Sequence, residues 1–230
     1  MAHSAQPPAQ MSADEAGLRA AYNTAQLVRD SPDGAQGYST AVHVKIVDGR
    51  TRYSAILTAA HAVETKARAR QIRAVFSGTR RVIALDPDRL YISCAPRLDL
   101  AVVALAANVA RAPSPLYRGD PYNPPQQRLA FWHHGGGAPR IRLGGGPLLI
   151  ASHEVFVLDA HGTPGASGSG IYTADWELYG VLYASNHLLR RRTFTRVVEG
   201  CGSTRRSGGG GSGWRKSVQR NRLRHAALVP

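Results

Sequence analysis

The sequence predicts an all-β chain of two small antiparallel barrels, with one helix ahead of them and a basic tail behind. Three observations lead there. About a dozen short apolar or alternating segments are separated by turn residues at close intervals, the texture of small barrels or sandwiches. A proline-rich stretch, RAPSPLYRGDPYNPPQQ at 111–127, splits these segments in the middle and reads as a connector. The charge is uneven: of a net +14, residues 190–230 hold eleven Lys/Arg and one acid, so the tail and not the body sets the basicity.

The elements follow in order. Residues 1–11 carry Pro, Gln, Ser and Ala without period. Ser12 followed by Glu15 has the spacing of a capping box, and 13–28 is expected to be one helix, ended by DSPDGAQG. AVHVKIV, then Asp48-Gly49, then RTRYSAILTAA is a hairpin signal around a turn dipeptide that tolerates positive φ. Further strands are expected at 72–76, 80–85, 90–93 and 100–105. After the connector they are expected at 129–133, 140–143, 147–151, 154–158, 170–172, 178–184 and 192–198. The resulting division is an N-terminal extension with one helix (1–37), a first barrel (38–110), the connector (111–127), a second barrel (128–200) and a flexible basic tail (201–230).

At 230 residues and 43% hydrophobic the chain can bury a sizeable core. No stretch approaches the roughly 18 consecutive apolar residues of a membrane span. The first residues, MAHSAQPPAQMSADE, lack the basic-then-apolar order of a secretion signal. Two cysteines, Cys94 and Cys201, allow one disulfide at most, and a reducing compartment is expected.

The segment HGTPGASGSGIYT, 161–173, raises the question of chemistry. It lies between two strand signals, where a linker is out of place. It lacks the Gly-Lys-Ser/Thr of a phosphate loop, and no helix follows it as a hydrolase elbow requires. Gly165-Ala166-Ser167-Gly168 remains, a serine between glycines. A nucleophilic serine needs a tight turn with backbone N–H groups aimed at the developing oxyanion, and glycine permits both. A base must accompany it. Of nine histidines, only His61 sits in ILTAAHAV, where an apolar strand runs into small residues and then the ring. An acid must hold the imidazole, and Asp99 opens the apolar run of RLDLAVVAL, a place costly to bury unless paired. Taken singly, His61 reads as well as a core histidine and Asp99 as a turn residue. Together they occur in the order His, Asp, Ser on a two-barrel pattern.

On LTAAH, DLAVV and GASGSG, residues 38–198 resemble the chymotrypsin-like serine proteases. GTPGASGSGIYT and LYGVLYAS are most similar to the polyprotein-processing proteases of positive-strand RNA viruses, of the sobemovirus, polerovirus, barnavirus and astrovirus type. The resemblance implies two six-stranded barrels. It also implies a serine endopeptidase with His61 as general base, Asp99 as its orienter and Ser167 as nucleophile. The N–H groups of Gly165 and Ser167 would form the oxyanion hole. Ala166 stands where enzymes activated by a new N-terminal amine carry an aspartate, and Ala62 where secreted relatives usually have cysteine. Both departures agree with an enzyme active once folded, in the host cytoplasm and not secreted. The resemblance places the substrate pocket along His161, Thr163, Leu182, Tyr183, Ala184 and Ser185. Leu182 occupies a position held by histidine in many viral relatives, which puts a Glu or Gln preference in doubt.

No cofactor is expected, and no metal: His133-His134 before three glycines reads as a loop without a second ligand cluster. The expected partners are a polypeptide substrate, by the resemblance a viral polyprotein, and single-stranded RNA at the tail, where Phe194 and Trp214 interleave the basic residues. Two other readings stay open. One is a cellular trypsin-like protease. The other is a protease-like module that binds RNA or protein, against which an intact triad argues.

Overall fold

A computed structural model describes residues 12–32, 34–79, 81–93, 99–119, 128–151, 155–160, 162–186, 194–198 and 227–229. It is all-β apart from short helices. Helix α1 (Ala13–Tyr22) starts at Ser12, whose side chain accepts from Glu15 N–H while the Glu15 carboxylate accepts from Ser12 N–H. It stops at Asn23, and the next residues form strand β1 (Thr24–Arg29), so the single helix expected over 13–28 is half strand. The reason is tertiary. β1 lies between β2 (Gln36–Asp48) and β4 (Ile72–Phe76), with Leu27 opposite both Ser39 and Ala74. Five of its six residues are buried, and two-sided pairing overrides the helix preference of Ala25, Gln26 and Leu27.

β2 and β3 (Thr51–Thr58) form the hairpin around Asp48-Gly49, with Gly49 at φ +60°. Two single-turn helices follow, α2 (Ala60–Val63) and α3 (Lys66–Ala69). Then come β4, β5 (Val82–Ile92) and β6 (Ala101–Leu105). The separate strands expected at 80–85 and 90–93 are one strand, broken in register between Asp86 and Leu90, where Pro87 has no N–H for the ladder. The first sheet runs β1-β4-β5-β6-β3-β2-β13, and β1 also pairs with β2. β13 (Ala227–Val229) lies along Lys45–Val47 of β2. Two boundaries therefore move. The first sheet begins at β1 rather than at 38, and the last residues of the expected flexible tail are a strand; residues 199–226, with most of the basic cluster, lie outside the described residues.

The second unit is a closed barrel of order β10-β11-β12-β9-β8-β7. Its strands are β7 (Arg128–His133), β8 (Arg142–Ala151), β9 (Val155–Asp159), β10 (Gly170–Tyr172), β11 (Leu178–Asn186) and β12 (Phe194–Val198). The two strands expected at 140–143 and 147–151 are continuous, because Gly144, Gly145 and Gly146 stay in the ladder opposite Phe131, Ala130 and Leu129. A Cβ on Gly144 would come within 2.5 Å of the Phe131 ring. In the connector, Leu116 bridges Leu178 in parallel, while 120–127 lie outside the described residues.

Each sheet has its own core, one around Leu27, Ile56, Phe76 and Val103, the other around Phe131, Leu158, Ile171 and Leu182. A third cluster joins Val42, Val44 and Leu57 of the first sheet to Tyr172, Leu178 and Val181 of the barrel. Trp132 and Trp176 stack at its margin, ring centroids 6.0 Å apart. Burial of this shared apolar surface holds the two halves in one relation.

Candidate active site

His61 stands where β3 runs out. Ala59 is fully buried and Ala60 opens the short helix α2, so small residues let the chain turn beneath the imidazole. Thr58 of β3 pairs with Ala101 of β6, which sets the end of one strand beside the start of the other. Asp99, two residues ahead of β6, thereby reaches His61. Its Oδ1 accepts the His61 N–H at 2.8 Å, its Oδ2 is bonded to Nδ1, and its C=O accepts the Ala60 N–H at 3.1 Å.

This arrangement sets both titrations. The hydrogen bond to Asp99 raises the His61 pKa above the ordinary histidine value, against burial, which would lower it. Burial pushes the Asp99 carboxyl up, but the bonds from the His61 ring and N–H, the imidazolium charge and the Ala60 N–H outweigh it and hold the carboxyl low. With Nδ1 committed, Nε2 is the free ring nitrogen among the described residues.

Ser167 lies on the loop entering β10. Gly165 and Gly168, flanking it, both sit at φ +88°, a region L side chains rarely adopt. Ala166 N–H donates to Thr163 C=O at 3.0 Å, Gly168 N–H to Leu182 C=O at 2.6 Å and Ser169 N–H to Ala166 C=O at 3.1 Å. The N–H groups of Gly165 and Ser167 alternate with these and have no acceptor among the described residues. Ser169, the other serine of the segment, is fully buried and donates its hydroxyl to Ala166 C=O at 2.6 Å.

The loop belongs to the barrel but is tied to the first sheet. Thr40 N–H and the Ser39 hydroxyl donate to Ser167 C=O at 2.8 and 2.7 Å. The Thr40 hydroxyl donates to Gly165 C=O at 2.7 Å and accepts His134 N–H at 3.0 Å. Thr58, three residues before His61, donates to Thr40 C=O at 2.8 Å. A Cβ on Gly168 would collide with Thr40 C=O and Thr58 Oγ1, so glycine is required there by approach as well as by φ. Sequence reasoning missed Ser39, Thr40 and Thr58; hydroxyl residues in strands carry no mark distinguishing them from ordinary strand formers.

The expected substrate-pocket residues divide. His161 lies outside the described residues. Thr163 is exposed, on the segment leading to Ser167. Leu182 faces the barrel core and is buried, with its N–H given to Ser169 C=O and its C=O to Gly168 N–H, so it braces the loop. Tyr183 is the bulge residue of β11, while Ala184 and Ser185 pair with Arg196 and Thr195 of β12. His134 is buried, with Nδ1 on Ala138 C=O at 3.0 Å and Nε2 on Ser77 Oγ at 3.1 Å, so it serves as a brace.

A second histidine–serine contact differs in kind. His43 Nε2 lies 3.2 Å from Ser54 Oγ and its Nδ1 3.3 Å from Asn23 Oδ1. His43 is fully buried, and burial pushes its pKa down to about 4. Among the described residues no carboxylate bonds to it, and it is fully buried, so the pair is a polar brace between β2 and β3.

A family model described as a trypsin-like peptidase domain matches residues 44–181, more than half of the chain. The chain belongs to this family. Trypsin-like peptidases of known structure share its fold at low identity. A serine endoprotease from Yersinia pestis aligns at 19% identity and a TM-score of 0.61, over 81% of this chain and 62% of that one. A Mycobacterium tuberculosis protease in its active form aligns at 11% identity and 0.57, over 85% and 89%. The serine protease of a human pathogenic astrovirus aligns at 13% and 0.51, over 78% and 90%. Among curated proteins no sequence matches it. The chain is a chymotrypsin-like serine endopeptidase by family and fold.

Two predictions follow from this geometry. Thr40→Val keeps the shape of the side chain but leaves Gly165 C=O and His134 N–H unpaired, at a cost of about 1–3 kcal/mol. Turnover is expected to fall at least tenfold in protein that remains folded at 25 °C; wild-type rates would show that the seam does not position the loop. The second concerns pH. Were His61 the general base, it would have to be neutral to act, and its pKa is raised, so kcat/KM should then rise with pH through a midpoint above the ordinary histidine value of about 6.5. Asp99→Asn removes the carboxylate, moving that midpoint down while lowering the rate by roughly 10⁴-fold. A pH–rate profile of both proteins decides; an upward move in the variant contradicts the pairing.

Proposed function

We propose that this endopeptidase cleaves peptide bonds through an acyl-enzyme formed on Ser167. His61 acts as general base and then general acid, and Asp99 orients it. The observation that carries the reading is the backbone pattern of the loop. Three N–H groups are consumed internally, and the two that remain, on Gly165 and Ser167, flank the nucleophile's own position. Donors of that kind stabilise a tetrahedral oxyanion more than the ground-state carbonyl, and each contributes about 2.7–4 kcal/mol to the barrier where measured. In the forward step Oγ attacks the carbonyl carbon as Nε2 takes its proton. The proton then passes to the leaving amine, and water repeats the sequence to release the acid.

Ser167→Ala should abolish labelling by a fluorophosphonate probe and lower turnover by several powers of ten, with labelled peptides identified by mass spectrometry. Label retained elsewhere in the loop would sink the assignment. The burial of Ser169 and its bond to Ala166 C=O speak against it as the alternative nucleophile.

The finer reading is a polyprotein-processing enzyme of the positive-strand RNA virus type. It is supported by the GTPGASGSGIYT motif and by Ala166, which is buried in the barrel core where an activation aspartate would need an amine partner. A single dominant cleavage motif in a peptide library agrees with that reading, and broad cleavage after basic residues favours the cellular alternative. The basic tail is proposed to bind single-stranded RNA. Truncation after Cys201 removes seven Lys/Arg and should weaken RNA binding and flatten its salt dependence, while peptide hydrolysis changes by less than about threefold. Equal salt slopes for the two proteins would remove the tail from that role.

A further inference from the structure

Three glycines follow His133-His134, and the catalytic reading makes no use of them. Residues 135–137 form a tight turn after β7, with Gly136 and Gly137 both at φ +68°. The turn lies against Gly165. A Cβ on Gly165 would come within 2.7 Å of His134 C=O and 3.0 Å of the Gly137 nitrogen. Gly136 N–H donates to Pro164 C=O. Gly136 is exposed, so water could satisfy that N–H, and the bond is not an obligation of burial. Its effect falls on the neighbouring peptide. A trans peptide is planar, and its C=O and N–H point in opposite directions. Holding Pro164 C=O on the turn therefore directs the Gly165 N–H away from it. Gly165 has no Cβ to resist rotation of the 164–165 peptide, and half a rotation would put C=O in place of N–H. The bond from Gly136 opposes that rotation.

The turn is itself held from the first sheet. Gln26 of β1 is buried and lies opposite Thr40 of β2 and Val75 of β4. Its Nε2 donates to Gly137 C=O at 2.6 Å, across the junction of the two halves. A Cβ on Gly37 would collide with that side-chain amide, and one on Gly137 would collide with Gly37 C=O, so two glycines make room for the reach. His134, just ahead of the turn, is fixed by Ser77 Oγ at its Nε2 and by the Thr40 hydroxyl at its N–H. A buried amide is costly unless paired, and Gln26 gives its donor to a turn of the other half.

We propose that Gln26 is a positioning residue for peptide-bond cleavage: through Gly137 and the 135–137 turn it keeps the Gly165 N–H aimed at the developing oxyanion. The inference rests on the reading of Ser167 as nucleophile and of the Gly165 N–H as an oxyanion donor. Its route differs from that of Thr40, which holds Gly165 C=O directly. Among the described residues Gln26 makes no side-chain hydrogen bond to His61, Asp99 or Ser167, so its action on the reaction is confined to the donor. Removing one oxyanion donor lowers kcat by roughly 10²–10³ where measured, and a donor left to rotate loses part of that.

The test is pre-steady-state hydrolysis of p-nitrophenyl acetate, an ester with no side chain to be recognised, by the full chain and by its Gln26→Met variant. Methionine keeps the length of the side chain and removes the donor. The acylation rate constant is expected to fall at least about tenfold, with the dissociation constant of the ester within about twofold of wild type. The pH midpoint of acylation should stay within about 0.3 units, because His61 is untouched. A merely structural role would instead lower the burst amplitude, which counts working sites, and leave the rate constant of those sites alone. Ser77→Ala, a smaller change at a half-buried residue, should lower the same constant at least about threefold. It carries the test if circular dichroism shows that Gln26→Met does not fold. An unchanged acylation constant in the folded variant overturns the proposal. So does a midpoint that moves, since the effect would then lie at His61. A wild-type protein without a burst, or with its acetyl group on a residue other than Ser167, would strike the catalytic reading and this inference with it. A normal wild-type burst with an indifferent Gln26 overturns this inference alone.

Discussion

Thr40 is the residue on which the site's geometry rests. It is fully buried and uses all of its polar groups: across the junction of the two halves its N–H bonds to Ser167 and its hydroxyl to Gly165 and His134, and within the first sheet its C=O accepts the Thr58 hydroxyl. The loop of Ser167 comes from the barrel, and His61 and Asp99 come from the first sheet. Apolar burial between Val42, Leu57, Tyr172 and Val181 brings the halves together without choosing a register to within a fraction of an ångström. Directional hydrogen bonds choose it, since their strength falls steeply with misalignment. Gly168 completes the lock, because any side chain there would push the loop off Thr40 and Thr58.

The same division explains how the charges are managed. Asp99 is partly buried and would resist ionisation alone, yet three N–H donors from Ala60 and His61 surround its oxygens. The carboxylate is charged because it is solvated by protein, and its charge in turn favours the protonated imidazole. In His43 the opposite environment, buried and without an acid, gives a ring that stays neutral across the physiological range. Two histidines close in sequence thus have opposite tendencies, decided by whether a carboxylate is in reach.

Much of this was legible in the sequence, and the reasons differ by residue. The hairpin at Asp48-Gly49, the strand at 72–76 and the strand at 170–172 follow from alternation and turn chemistry, which are local. His61, Asp99 and Ser167 could be singled out because each sits in an unusual local setting: a ring after small residues, an acid before an apolar run, a serine between glycines. β1 was illegible, since TAQLV is compatible with helix and only pairing with β2 and β4 makes it a strand. Thr40 and Ser39 were illegible for a related reason, because their partners on the Ser167 loop are more than 120 residues away in the chain. For Leu182 resemblance supplies a position along a strand but not the face to which the side chain turns, which is toward the barrel core.

The placement of His61 and Asp99 on the first sheet and of Ser167 on the second has a consequence for the life of the molecule. The N-terminal half leaves the ribosome first and carries His61 with Asp99, a pair that can do nothing to a peptide bond. The loop of Ser167 takes its shape only when β10 and β11 have paired and Leu182 has closed on Gly168 and Ser169. Under the proposed triad, a nascent chain therefore completes its site only when its later strands have formed and docked.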